Sequence, residues 1–271
     1  MTNRRIAISE ITTAEWSFER DVESYADTEG VDGVGVWRDK LAAFDGSVAD
    51  ASALIDEGGL ETCSLVFAGG FTDPDEFDGR VADAKRAVED AATLGAPVLM
   101  VLAGPRLGID APEGDDLVRN AIEAIAPAAR DADIGLALEP LHPVDITRFS
   151  TVVTMAQALD IVEDIDGAGL MYDTWNTWWD PEVFEGIERA GEDIAAVQVA
   201  DWRHPSDQPR DRAIPGRGEA PLADLLARVE AAGYEGWYEI ELFTERYAPE
   251  EYPVLLEECV AGVRAVFDEM P

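Results

Sequence analysis

The 271-residue chain carries 57 acidic against 20 basic side chains, a formal charge of −37, and 47% of it is hydrophobic. That apolar share supports a packed core and excludes intrinsic disorder. A long-range field of this sign excludes nucleic acid and anionic membrane surfaces as partners.

Candidate strands in chain order are Arg5–Ser9, Gly33–Trp37, Thr62–Phe67, Pro97–Leu102, Gly135–Glu139, Gly169–Asp173, Ala195–Ala200 and Trp237–Leu242. Segments with a 3.6-residue apolar period, such as Asp115–Arg130 and Pro221–Ala232, lie between them. Eight strands alternating with eight helices, at about 34 residues per unit and without a Pro/Gly/Ser linker, predict a single-domain (β/α)8 TIM barrel over residues 1–271. The rival is a doubly wound open sheet. Its first turn needs glycines to cradle a dinucleotide, and Ser9-Glu10-Ile11-Thr12-Thr13 holds none.

Lys40 and Lys85 are the only lysines in the chain. An acid-rich, lysine-poor surface suits a salty cytoplasm, where screening shortens carboxylate repulsion. The protein is therefore expected to be halophilic and to lose structure in low salt; a melting temperature indifferent to KCl would refute this. Cys63 and Cys259 sit in apolar stretches and read as buried free thiols. The longest apolar run, around Ala96 to Ala103, is far too short for a membrane span, and no charged-then-apolar leader is visible. A cytoplasmic location is expected.

In a barrel of this kind chemistry gathers where strands end. The first four ends offer Glu10, Trp37-Arg38, Gly69-Gly70-Phe71 and Gly104-Pro105-Arg106. The last four offer Glu139, Asp173, Gln198 and Glu241. Neighbouring strands lie about 5 Å apart, so four oxygen-bearing side chains can converge. Three packed carboxylates need a positive neighbour, and no lysine is close in sequence. One hard divalent cation, Mg²⁺ or Mn²⁺, answers that need, with neutral Gln198 limiting the ligand charge. Glu239 shares a strand face with Glu241 and is either a partner of the ligands or nearer the barrel interior.

The stretches LALEPLHP (Leu136–Pro143), MYDTWNTWWDP (Met171–Pro181), VQVADW (Val197–Trp202), DRAIPGRGE (Asp211–Glu219) and GYEGWYEIELF (Gly233–Phe243) resemble the xylose-isomerase-like TIM barrels. The resemblance is to the sugar phosphate isomerase/epimerase group, which includes hydroxypyruvate isomerase and ketose 3-epimerases. It implies metal ligation by Glu139, Asp173, Gln198 and Glu241, with Glu139 and Glu241 also the proton carriers. Gln at the third position is similar to the hydroxypyruvate isomerase branch, where the ketose epimerases carry His. The family's Asp-x-x-His pattern is broken by Asn176, which leaves a neutral hydrogen bond to substrate at that position. The reaction so implied is an isomerisation or epimerisation of a small sugar, sugar phosphate or keto-acid through a cis-enediolate. An inosose-type dehydratase is mechanistically adjacent, and a non-catalytic sugar-binding barrel is the alternative from another class.

His142 sits three residues beyond Glu139 and is expected to bond the substrate, while His204 reads as solvated. Trp202–Arg217 holds Arg203, Arg210, Arg212 and Arg217 against Asp207 and Asp211, a locally basic loop after the seventh strand. Guanidinium there suits an oxyanion, with Arg212 first and Arg217 next. Trp37 and Trp175 are expected as substrate walls and Trp178 or Trp179 as helix packing. Exposed aromatic loops favour a homo-oligomer.

Overall fold

The computed structural model describes residues 4–206, 208–243 and 245–271. Eight parallel strands close into a barrel: β1 (Arg5–Ser9), β2 (Gly33–Trp37), β3 (Glu61–Gly69), β4 (Val98–Leu102), β5 (Gly135–Leu138), β6 (Ala168–Asp173), β7 (Ile194–Val199) and β10 (Trp237–Ile240). Between β7 and β10 the chain inserts an antiparallel pair, β8 (Asp201–Trp202) and β9 (Arg212–Ala213). The expected strands are all present. The largest departure is β3, which runs on to Gly69 because a register shift after Leu65 lets Ala68 and Gly69 pair with Val101 and Leu102.

The connections are more broken than one helix per unit. Between β2 and β3 the chain forms two helices, Arg38–Ala43 and Val48–Glu57. Ser47 starts the second with a reciprocal cap: its hydroxyl accepts from the Asp50 N–H and the Asp50 carboxylate accepts from the Ser47 N–H. Among the described residues no helix is long and apolar enough to cross a membrane. Cys63 and Cys259 are free and buried.

Strand alternation sorts the core into two shells. On β4, Leu99 and Val101 face the helices, while Val98, Met100 and Leu102 face the barrel interior. The interior begins apolar, with Val98, Ala196, Met100, Ala137 and Met171. It turns polar along one row, where Asp173 lies beside Gln198 and Gln198 beside Glu239 across β6, β7 and β10. Gly35 makes space for that row, since a Cβ there would meet the Glu239 carboxylate at 2.0 Å.

Candidate active site

Asp173 is the last residue of β6, Gln198 the penultimate residue of β7, and Glu139 and Glu241 directly follow β5 and β10. These four strands are consecutive around the barrel. All four side chains are buried.

Asp173 caps the short helix Thr174–Thr177: its Oδ1 accepts from the backbone N–H groups of Trp175 at 2.7 Å and Asn176 at 3.1 Å. Its Oδ2 accepts from Arg212 Nη1 at 2.8 Å. The same nitrogen lies 2.7 Å from Glu241 Oε2 and donates to the Glu241 carbonyl at 2.9 Å. Arg212 reaches this position from β9, at the end of a loop tied down by Asp201, whose carboxylate accepts from the N–H groups of Gly218 and Ala220. Gly218 is required there, because a Cβ would strike Asp201 Oδ1 at 2.4 Å.

Gln198 Nε2 donates to Glu241 Oε1 at 3.2 Å and to Glu239 Oε1 at 3.3 Å, which leaves its own Oε1 buried without a partner. Glu139 Oε1 accepts from Asn176 Nδ2 at 2.8 Å, and Asn176 Oδ1 accepts from the His142 N–H at 3.0 Å. Burial, reinforced by the charges of Asp173 and Glu241, pushes the Glu139 pKa well above the usual carboxylate range; Arg212 and Asn176 oppose this. Burial also raises Glu241, against the pull of Arg212. Glu239 is pushed up to about 7 by burial and then by Glu241.

The counter-charge missing from the lysines is thus Arg212. One guanidinium against Glu139, Asp173 and Glu241 leaves the cluster short of positive charge. Three carboxylates with the unpartnered Gln198 oxygen form a donor set that suits a hard divalent ion. Among the described residues no three acidic, His or Cys side chains stand ready as a cage, and Arg212 holds two of the expected donors together.

Glu139, Glu241, Arg210 and Arg212 line a cavity of about 180 Å³ whose other walls include Trp37, Met100, Leu102, Leu141, Phe149 and Phe243. A larger groove of about 460 Å³ opens beside it and shares Trp37, Asp39 and Phe67, but none of the four donors lines it. The cavity, with its convergent acids, is the candidate site.

Of the other expected site residues, Trp37 lines the cavity. Trp175 lies behind it, its ring 5.1 Å from the Arg212 guanidinium carbon and 5.3 Å from the Trp202 ring. His142 stacks on Trp202 at 5.2 Å and accepts the Val144 N–H through Nδ1; burial lowers its pKa. Packing and a local turn therefore occupy His142, and Asn176 orients Glu139; neither lines the cavity. Arg217 pairs with Glu258 at 3.0 Å, half-exposed, and is not among the residues that line the cavity. Arg210, named in the basic loop but ranked behind Arg212 and Arg217, also lines the cavity. Its two-residue spacing from Arg212 in the basic loop was the available clue. Asp207 of that loop lies outside the described residues.

A family model described as a xylose isomerase-like TIM barrel matches residues 24–258. A Streptomyces coelicolor protein provisionally named hydroxypyruvate isomerase is 31% identical over 225 residues, 76% of this chain and 77% of that protein. A Pseudomonas aeruginosa 3-dehydroshikimate dehydratase is 30% identical over 243 residues, 80% of this chain but 35% of that longer protein. The crystal structure of protein SMc04130 from Sinorhizobium meliloti superposes with a TM-score of 0.89 at 32% identity, covering 96% of this chain and 98% of that one.

Proposed function

The chain belongs to the xylose isomerase-like TIM barrel family, and from that premise we propose that it moves a proton on the carbon next to a carbonyl in a small substrate, as an isomerase or epimerase. The observation that carries this reading is that Glu139 and Glu241, two buried carboxyls of raised proton affinity, line one cavity. A carboxyl with elevated pKa is both a better base and, once protonated, a usable acid near neutral pH. One of the pair removes the proton and the other returns it. Arg212 places a fixed positive charge beside the oxygen on which negative charge grows as the enediolate forms. Asn176 holds Glu139 in one orientation, and the aromatic walls keep water from the intermediate.

A divalent cation, Mg²⁺ or Mn²⁺, held by Glu139, Asp173, Gln198 and Glu241, would supply Lewis-acid polarisation of the carbonyl. A dehydratase begins with the same deprotonation and then expels a hydroxide; the likeness to the Pseudomonas protein favours this as the second reading.

The test is deuterium incorporation next to the carbonyl of small oxo compounds in D₂O, followed by NMR before and after chelation. Incorporation that chelation stops and Mg²⁺ or Mn²⁺ restores is expected. Binding without any incorporation would leave a non-catalytic barrel instead.

A further inference from the structure

Two arginines share the cavity, and they are in opposite states. Arg212 is committed, with Asp173 and Glu241 taking its Nη1. Arg210 is not: its one polar contact among the described residues is the ion pair of its Nε with Asp145, 3.1 Å away. No hydrogen bond reaches the Asp145 carboxylate or Arg210 Nε, so both carboxylate oxygens and that nitrogen have only the ion pair. The guanidinium is flanked by two rings, 4.8 Å from the centroid of Phe149 and 4.2 Å from that of Phe243. Aromatic faces on a guanidinium stabilise the cation and hold its plane without using its N–H groups. The side chain keeps only 17% of its exposure, so a charge has been taken largely out of water with its terminal donors unused. Asp145, buried at the other end, fixes the direction of the fork.

The rest of the wall argues about what reaches those donors. Met100, Leu102 and Leu141 offer no hydrogen bond, so a substrate with a hydroxyl on every carbon would lose water there without replacement. A cavity of about 180 Å³ is also small for a binding site. A compact substrate with its polar atoms gathered at two places fits: a carbonyl beside the acids and an anionic group beside Arg210. A planar carboxylate matches a single planar fork, whereas a dianionic phosphate would meet one guanidinium with unused terminal donors amid the carboxylates of Asp39, Glu139, Asp145 and Glu241.

We propose that Arg210 is the specificity residue of this site and reads the carboxylate of a small oxo-acid, so that the enzyme selects oxo-acids over uncharged polyhydroxy ketones. This rests on the reaction class proposed above only for what happens after binding.

The experiment compares hydroxypyruvate with dihydroxyacetone, three-carbon carbonyl compounds that differ by a carboxylate against a hydroxymethyl group, and adds dihydroxyacetone phosphate. Dissociation constants are measured by titration calorimetry in molar KCl, where a largely buried guanidinium is screened less than surface charge. The unaltered protein should bind hydroxypyruvate at least about tenfold more tightly than dihydroxyacetone. Arg210→Gln should weaken hydroxypyruvate by about ten- to a hundredfold and leave dihydroxyacetone unchanged. Arg210→Lys, which keeps charge and packing, should recover part of the preference and serves if the glutamine variant does not fold. Arg228→Gln, the same charge removed from an exposed helix position, should alter nothing. A preference that survives Arg210→Gln, tightest binding of the phosphate, or no binding of hydroxypyruvate overturns the assignment. Deuterium incorporation separates the two claims. An Arg210-dependent preference without incorporation removes the reaction class and keeps the specificity; incorporation without that preference does the reverse.

Discussion

The barrel holds two buried clusters of acids, each with a single closely paired cation, and they have opposite fates. In the first, Asp21 is paired with Lys40 and accepts from the Thr13 hydroxyl at 2.6 Å, Lys40 also donates to the Thr13 carbonyl at 2.8 Å, and Glu10 accepts the Trp37 N–H at 2.8 Å. Tyr25 closes the network on Thr13 at 2.6 Å, and only Glu10 Oε1 lacks a partner. Glu10, Thr13, Asp21, Tyr25 and Lys40 line neither the cavity nor the groove beside it. In the second, Glu139, Asp173 and Glu241 share Arg212, Gln198 keeps an unused oxygen, and Glu139 and Glu241 face open space. Under the proposed function, similar composition serves structure where protein groups spend nearly all the hydrogen-bonding capacity, and chemistry where capacity is left over beside a cavity.

The sharpest way to break this contrast is to neutralise one acid of the second cluster. Glu241→Gln should lower deuterium incorporation by about 10²- to 10⁴-fold, the usual worth of a positioned acid or base. Its unfolding midpoint should barely move, because Asp173 retains Arg212. Turnover that survives the change would demote the second cluster to structure.

In the first cluster the pattern should invert. Lys40→Met strips the cation from buried Asp21 and should cost about 3–5 kcal/mol in denaturant unfolding in molar KCl. Incorporation per folded molecule should stay the same. Loss of turnover at full stability would mean that this cluster belongs to the site.

The same cluster has a pH signature. Burial raises the Asp21 pKa from 3.8 to about 6, with Lys40 opposing, so the folded protein holds a proton that the unfolded chain has released. The contribution is complete below the unfolded pKa of 3.8, is lost as pH rises to about 6 and is constant above. Unfolding free energy should therefore fall through that window, and Asp21→Asn should flatten the fall. A slope unchanged by the substitution would assign the dependence elsewhere.

The smallest expected effect is at the edge of the second cluster. Asn176→Ala removes the amide that holds Glu139 and should slow incorporation by about tenfold, the worth of one hydrogen bond to a charged group. An unchanged rate would mean that Glu139 needs no such orientation.

Strand order, the barrel and the buried strand-end placement of Glu139, Asp173, Gln198 and Glu241 were legible in the chain because they follow from a two-residue alternation and from position at strand ends, both local properties. Asp173 and Gln198 fall on one register row once the sheet is drawn, and Glu239 joins them. Loop residues were less legible. His142 and Trp175 stand three and two residues beyond Glu139 and Asp173, yet they pack together behind the cavity with Trp202.

What the chain determined by itself is therefore which strands form and which side chains they point inward. Only the tertiary structure decided that Arg212 reaches back to Asp173 and Glu241, that Arg217 leaves for Glu258, and that Arg210 lodges between Phe149 and Phe243. The reason is that a long loop's path depends on partners far away in sequence. Phe149 and Asp145 come from the β5 connection and Phe243 from beyond β10, so no local pattern around residue 210 encodes where that guanidinium rests.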